Sequence, residues 1–390
     1  MEAFTYHVKT EIVFGAGSEK NVAELAKKYG ASRVLVVYGG GSAVRSGLLD
    51  RICKRLKDAG LVVETFGGVR PNPRLDHARK GVEQAKAMGA DLILAVGGGS
   101  VIDTAKAIAH GTANPETDIW EFWMKRAELK KTMPVGVVLT IPAAGSETSD
   151  SAVLTDEPNR CKRGINTDLN RPVFAILDPA LAVTLPKFQV ACGVTDIMMH
   201  TLDRYFNPIT NNEITDAIAE ALLRVVIENG PKVYENPADL HAMSEIMWCG
   251  SLSHNGLTGL GGKKDFAVHQ LGHAISARYD MAHGESLSRI WKSWALEVAD
   301  ADNYARFARF GRNVWGIQAA DDKEAALQAI ERQNAFFQQL DMPVTIRDLE
   351  QVNAEELTDL CSYGYTRTIG TFKALDADRM RHIYEQAMTE

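Results

Sequence analysis

The sequence predicts an α/β domain built on a parallel sheet, followed by an all-helical domain. Three observations carry that prediction. Apolar runs alternate with helical patterns in the first half; helical spacing takes over after residue 188; and 390 residues are too many for one comfortable core. The runs are "RVLVVYG" (33–39), "LVVETF" (61–66), "DLILAVGG" (91–98), "PVGVVLTIP" (134–142) and "PVFAILDP" (172–179). Each is short, rich in Val, Ile and Leu, and bounded by Gly, Pro or Asn, as strands buried on both faces are. Helical patterns such as "SGLLDRICKRLKDAG" and "HARKGVEQAKAMGA" lie between them, which makes the sheet parallel. After "TLPKF" (184–188), Ile214, Ala217, Ile218, Ala221, Leu222, Val225 and Val226 recur at helical spacing. Similar patterns run through 240–260, 265–279, 286–299, 303–313, 323–340 and 377–388. The expected domains are therefore 1–187, α/β, and 188–390, all-helical.

Composition narrows the function. With 45% hydrophobic and 24% charged residues the chain is ordinary globular protein. A net charge of −7 and a pI near 5.9, with no Lys/Arg block, argue against a nucleic-acid surface. No apolar run approaches the roughly 18 residues of a membrane span, and the start lacks the pattern of a secretion signal. Cys53, Cys161, Cys192, Cys249 and Cys361 are scattered and odd in number, with no CxxC pair. Reduced thiols in a cytoplasm are the plain reading, and any metal must be held by His and carboxylates.

Two glycine-rich turns follow strands. "LAVGGGSVIDTAKAIAHG" (94–111) is a strand, three glycines, a serine and a helix. Glycines allow close backbone approach, and the helix N-terminus offers N–H groups to a phosphate. No third glycine follows Gly97 and Gly99 at the GxGxxG spacing, and a tight turn without a ligand explains this stretch alone equally well. In "VYGGGSAVRSG" (37–47), Gly39, Gly40, Gly41 and Ser42 offer donors and no carboxylate, with Arg45 one turn on. An acid at such a strand end commonly holds the adenosine ribose of NAD and repels a 2′-phosphate. If this turn meets the adenosine, its chemistry favours NADP(H) over NAD(H).

The metal-ligating residue types fall in the second half. In "GVTDIMMHTLDRYF" (193–206), Asp196 and His200 are four apart on one helical face, the geometry of two ligands to one ion. "HQLGHAISARYDMAHG" (269–284) adds His269, His273 and His283. Mixed O and N ligands suit Zn²⁺ or Fe²⁺ better than Ca²⁺ or Mg²⁺. An Asp–His pair at this spacing is often only a surface hydrogen bond, but two such pairs and His283 make coincidence less plausible. Spacing alone does not say which of His269, His273 and His283 is spare; three of the four imidazoles bind the ion and the remaining one handles protons.

The motifs "GGGSVIDTAKAIA", "IPAAGSETSDSAV", "LDPALAVTLP", "GVTDIMMHTLDRY" and "HQLGHAISARYDMAHGESLS" occur in an order that resembles the iron-containing (group III) alcohol dehydrogenases. The GGGS at 39–42 is most similar to the NADPH-dependent butanol dehydrogenase and aldehyde reductase branch. The resemblance implies a Rossmann-like dinucleotide-binding domain and a helical metal-binding domain of the dehydroquinate synthase plan. It implies a homodimer, with the N-terminal strand "FTYHVKTEIVFG" pairing across it. It places the metal on Asp196, His200, His269 and His283, and leaves His273 as a non-ligand histidine near the nicotinamide. Cofactor contacts fall on Gly40, Ser42, Asn72, Gly97, Gly98, Gly99, Ser100, Asp103, Thr140, Ser146, Ser149, Lys162 and Thr184. The threonine-rich turn common in the family reads "PAAGSET" here, losing hydroxyls at Pro142 and Ala143.

The resemblance implies hydride transfer between NADP(H), or NAD(H), and a primary alcohol or aldehyde, assisted by one Fe²⁺ or Zn²⁺. Asp196 anchors the ion and His273 relays the proton. Rival readings keep the scaffold: a polyol dehydrogenase; a sugar-phosphate cyclase, for which Lys263, Lys264 and Arg278 offer few cations; or a non-catalytic redox sensor. Trp120, Phe122, Trp123, Trp291 and Trp294 read as core, and His7, His77, His110, His241 and His254 as structural or surface residues.

Overall fold

The computed structural model describes residues 1–389. The apolar runs become β2 (Arg33–Gly39), β3 (Val62–Val69), β4 (Leu92–Gly97), β5 (Val135–Leu139) and β8 (Phe174–Leu177). With β1 (Glu11–Phe14) they form a parallel sheet in the order β1-β8-β5-β4-β2-β3. β4 and β5 are buried at every residue, which is why their sequences lack polar alternation. The helices of this unit are α1 (Val22–Lys28), α2 (Ser42–Arg45), α3 (Leu48–Asp58), α4 (Leu75–Met88), α5 (Gly99–Ala113) and α6 (Ile119–Trp123). Leu25, Leu48, Ile52 and Leu56 of α1 and α3 pack with Val34, Val36, Leu92 and Leu94 in one core cluster. A second cluster joins Leu75, Ala78 and Val82 of α4 to the aromatic residues of α6, so Trp120, Phe122 and Trp123 are core.

The chain leaves β2 toward β3 on one side and leaves β4 toward β5 on the other. This reversal of direction opens a crevice beyond the C-terminal ends of β2 and β4, where open α/β sheets take their ligands. Both glycine turns stand there.

Two features differ from the sequence reading. An antiparallel hairpin, β6 (Ser151–Asp156) and β7 (Cys161–Asn166), follows β5; its polar "CKRGIN" strand carries no apolar run to reveal it. The N-terminal strand is shorter than 4–15 suggests: only Glu11–Phe14 is strand, paired with β8 of its own sheet.

The chain divides into two compact units, His7–Thr184 and a second that joins Met1–Tyr6 to Leu185–Glu390. The Glu2 amide donates to the Gly261 carbonyl at 2.9 Å within the second. Its helices are α7 (Lys187–Tyr205), α8 (Glu213–Glu235), α9 (Leu240–His254), α10 (Ala267–Tyr279), α11 (His283–Val298), α12 (Tyr304–Trp315), α13 (Asp322–Gln339), α14 (Ala354–Ser362) and α15 (Ala377–Thr389). The sequence reading missed α14. Among the described residues no helix is long and apolar enough to cross a membrane. α7 is the interior helix of this unit: its residues from Gly193 to Tyr205 are all buried, as is Val190.

Candidate functional site

Burial of α7 puts polar side chains where they need partners. Asp196 and His200 are one turn apart on it, at 3% exposure each. α10 brings His269 and α11 begins at His283. One ligand atom from each of these four residues lies within 4.8 Å of the others. Asp196 Oδ1 is the hub, 3.7 Å from His283 Nε2 and 4.0 Å from His269 Nε2, with the His200 ring against it, its Nδ1 at 2.9 Å. Two ligands of one ion can stand no more than roughly 4.2 Å apart, twice a metal–nitrogen bond, so the set needs to close by only some tenths of an ångström. Asp196 Oδ1 is buried and accepts no hydrogen bond; its contact with His200 lacks hydrogen-bond alignment. A buried anionic oxygen ringed by imidazoles is suited to a cation, and the donor set is right for Fe²⁺ or Zn²⁺.

The surroundings orient these ligands. His200 Nδ1 lies 2.9 Å from the Asp196 carbonyl, which only accepts, so Nδ1 carries the proton and Nε2 the lone pair. His269 Nδ1 is 2.6 Å from Asp203 Oδ2, which also takes the His269 amide at 3.3 Å. This carboxylate–histidine pairing turns Nε2 of His269 toward Asp196. Burial pushes the Asp203 carboxyl up to about 7. Asp203 is not among the residues expected from the sequence, although its place seven residues after Asp196 and three after His200 puts it on their helical face. His254, read from the sequence as a structural or surface residue, is buried at the end of α9 with its ring 4.0 Å from that of His200. No spacing in the sequence could have linked two residues on different helices.

His273 stands one turn beyond His269, half-buried, its ring 5.4 Å from that of His283 and 6.5 Å from that of His269. It borders the cluster without joining it. Gly284 explains how α11 comes so close: a Cβ there would stand 2.1 Å from the Cys192 carbonyl oxygen. Phe266 precedes α10 in a left-handed conformation (φ 56°), costly for a bulky residue, with its ring 5.1 Å from that of His269. Burial, with the charges of Glu285 and Asp196 beside it, pushes the Cys192 thiol up to about 12, so it holds little thiolate at neutral pH.

In the sheet unit the two glycine turns stand at the switch point, and the other expected cofactor residues lie on several elements. Gly40 and Ser42 are exposed beyond β2, and a Cβ on Gly40 would meet nothing within 4 Å. Gly97 ends β4, and its lack of a side chain is demanded by packing: a Cβ would stand 2.5 Å from Val101. Gly98, Gly99 and Ser100 lead into α5, and the Thr140 amide donates to the Gly97 carbonyl at 3.1 Å. Lys162 on β7 donates to Asn72 Oδ1 at 2.9 Å, both residues buried. Ser146 and Ser149 are buried in the β5–β6 loop, and Thr184 is exposed at the end of the unit. Asp103 uses its oxygens inside the protein, accepting from Ser146 Oγ at 2.6 Å and the Val153 amide at 2.9 Å.

Sheet and helices thus have the parts of a metal-dependent dehydrogenase. The family model described as iron-containing alcohol dehydrogenase matches residues 9–179, and its C-terminal counterpart matches 190–388. NADH-dependent butanol dehydrogenase A of Clostridium acetobutylicum is 36% identical, covering 99% of this chain and 100% of its own. NADPH-dependent aldehyde reductase YqhD of Escherichia coli is 34% identical, covering 99% and 100%. The crystal structure of NADH-dependent butanol dehydrogenase A from Thermotoga maritima superposes with a TM-score of 0.95 at 32% identity, covering 99% of both chains. The chain belongs to the iron-containing alcohol dehydrogenase family, in its butanol dehydrogenase and aldehyde reductase branch. Its activity class is the oxidoreduction of alcohols and aldehydes with a nicotinamide cofactor.

Proposed function

We propose that this protein is a cytoplasmic, homodimeric, NADPH-preferring aldehyde reductase. It carries the dinucleotide on residues 1–187 and one Fe²⁺ or Zn²⁺ on Asp196, His200, His269 and His283 of residues 188–390. The observation that carries the metal assignment is the buried, unbonded Asp196 Oδ1 faced by three imidazoles. When bound, the ion supplies Lewis acidity for negative charge developing on the substrate oxygen, and the nicotinamide supplies the hydride.

This chain's residues do the rest. Asp196 contributes the one negative charge of the ligand set, while Asp203 keeps the His269 proton on Nδ1. His273, half-buried beside His283, exchanges the substrate proton at its ring nitrogens through water. Exposed Gly40 and Ser42 offer a 2′-phosphate no repelling carboxylate, which supports NADPH. The named relatives divide on this point, NADH for butanol dehydrogenase A and NADPH for YqhD. Remaining dinucleotide contacts are assigned to Asn72, Gly97, Gly98, Gly99, Ser100, Asp103, Thr140, Ser146, Ser149, Lys162 and Thr184.

A sugar-phosphate cyclase would need cations directed at its phosphate, and Lys263 and Arg278 are already engaged with Glu2 and Glu356. The test is oxidation of NADPH and NADH against a panel of C3–C6 aldehydes, with the metal first measured and then removed. Metal-dependent turnover favouring NADPH is expected. Turnover that survives complete metal removal overturns the metal assignment, and an NADH preference overturns the cofactor assignment.

A further inference from the structure

Lys106 lies in the middle of α5 with no exposed side-chain surface. An unpaired ammonium there would be very costly. Its Nζ donates to the Ser146 carbonyl at 2.8 Å, to Ser146 Oγ at 2.8 Å and to the Ser151 carbonyl at 2.7 Å, which uses all three donors. Asp103, one turn earlier, supplies a countercharge at 3.9 Å and itself holds Ser146 Oγ and the Val153 amide. Every hydrogen-bond acceptor of Lys106 therefore comes from one stretch, the loop joining β5 to β6 and the first residue of β6. Burial pulls the Lys106 ammonium down to about 8 and raises the Asp103 carboxyl, as expected of charges buried to serve a shape.

The same loop is gripped elsewhere in the same way. Arg171 Nη1 donates to the Thr148 carbonyl at 2.6 Å, and Asn170 Nδ2 to the Asp150 carbonyl at 2.8 Å. Asn170 is tied in turn to His110 of α5, whose Nε2 is 2.7 Å from Asn170 Oδ1. The carbonyls of 146, 148, 150 and 151 are thus all taken by interior side chains. Acceptor oxygens committed inward are not available to repel an anion. The loop also rests on the glycine turn: Cβ atoms added at Gly98 and Gly99 would come 3.2 Å from Ile141 Cβ and 3.4 Å from Ala144 Cβ.

We infer that Lys106 is a positioning residue for the dinucleotide, gripping Ser146 and Ser151 so that the β5–β6 loop keeps its cofactor-binding form against the glycine turn. It touches neither cofactor nor substrate. The inference rests on the reading of Thr140, Ser146 and Ser149 as cofactor contacts.

The test uses the full-length, metal-loaded chain and Lys106→Met, which keeps side-chain length and removes the donors. Amide-exchange protection of 144–151 is expected to fall in the cofactor-free protein. The Kd for NADPH, measured by fluorescence titration, is expected to rise tenfold or more. Turnover at saturating NADPH should stay within about threefold, a split that general loss of stability does not produce. If the Asp103 charge left behind prevents folding, Lys106→Met/Asp103→Asn removes both charges and should show the same loosened loop, read from amide exchange alone because Asp103 is itself assigned to the cofactor. Unchanged protection of 144–151 in the folded variant overturns the grip itself. Lost protection with unchanged affinity for both NADPH and NADH overturns the cofactor role, and the assignment of 140–149 with it.

Discussion

Gly284→Ala is the smallest change that should disable the metal site. The Cβ would stand 2.1 Å from the Cys192 carbonyl oxygen and 2.8 Å from the Cys192 Cα, all backbone of buried α7. Clearing even the 3.0 Å that real Cβ contacts respect takes a displacement of about 0.9 Å, and no side-chain rotation can supply it. The helix that must move is α11, and its first residue is His283. Metal ligands tolerate errors of only about 0.2 Å in distance, so a shift near 1 Å takes the His283 imidazole out of range. A misplacement of that size costs on the order of a hundredfold, about 2.7 kcal/mol. Metal affinity measured by chelator competition should fall by about that factor, while the circular dichroism of the metal-free protein changes little and its Tm falls by no more than the roughly 1–3 kcal/mol of local overpacking implies. Wild-type affinity in Gly284→Ala would refute the reasoning, because it would mean that α11 does not set His283 by its contact with α7.

Asp203→Ala removes the acceptor that pins His269 and should weaken metal binding about 10–100-fold; Asp203→Asn, which retains an acceptor, should lose less. Chelator competition on both variants checks the order, and equal losses would point to packing instead. Gly40→Asp has free space for the new side chain, so it should lower NADPH affinity while leaving NADH affinity nearly unchanged; equal losses would remove 39–42 from the adenosine site. Burial drives His110 down to about 4 from an ordinary value near 6.5, so the unfolded chain takes up this proton first as pH falls. The contribution to stability is fully present above 6.5, is lost as pH drops from 6.5 to 4, and amounts to about 3 kcal/mol. Tm followed against pH should therefore fall less steeply across that window in His110→Gln than in the parent, and parallel curves would contradict it.

Much of this was legible in the sequence, for identifiable reasons. β2, β4, β5 and β8 announce themselves because burial on both faces leaves only Val, Ile, Leu, Ala, Gly and Phe between exposed Arg33, which opens β2, and Tyr38 near its end. Asp196 and His200 could be paired on paper since helical spacing converts sequence distance into a shared face. The hairpin β6–β7 could not, because "CKRGIN" is half-exposed and has charged residues where apolar ones would mark a strand. Nothing in the sequence marks Lys106 as buried, since its acceptors lie 40 to 45 residues further on, and His254 meets His200 only through packing of α9 on α7. Asp203 was within reach: a third acidic or imidazole residue on the α7 face already carrying two. The role of Gly284 lies in an interhelical distance, which no single segment contains.

X-ray absorption at the metal edge of the loaded enzyme tests the central claim most directly. The account predicts one ion per chain with three imidazole nitrogens and one carboxylate oxygen at about 2.0–2.2 Å, and loss of that signature in Asp196→Ala. A spectrum without imidazole scattering, or one unchanged in Asp196→Ala, would contradict it.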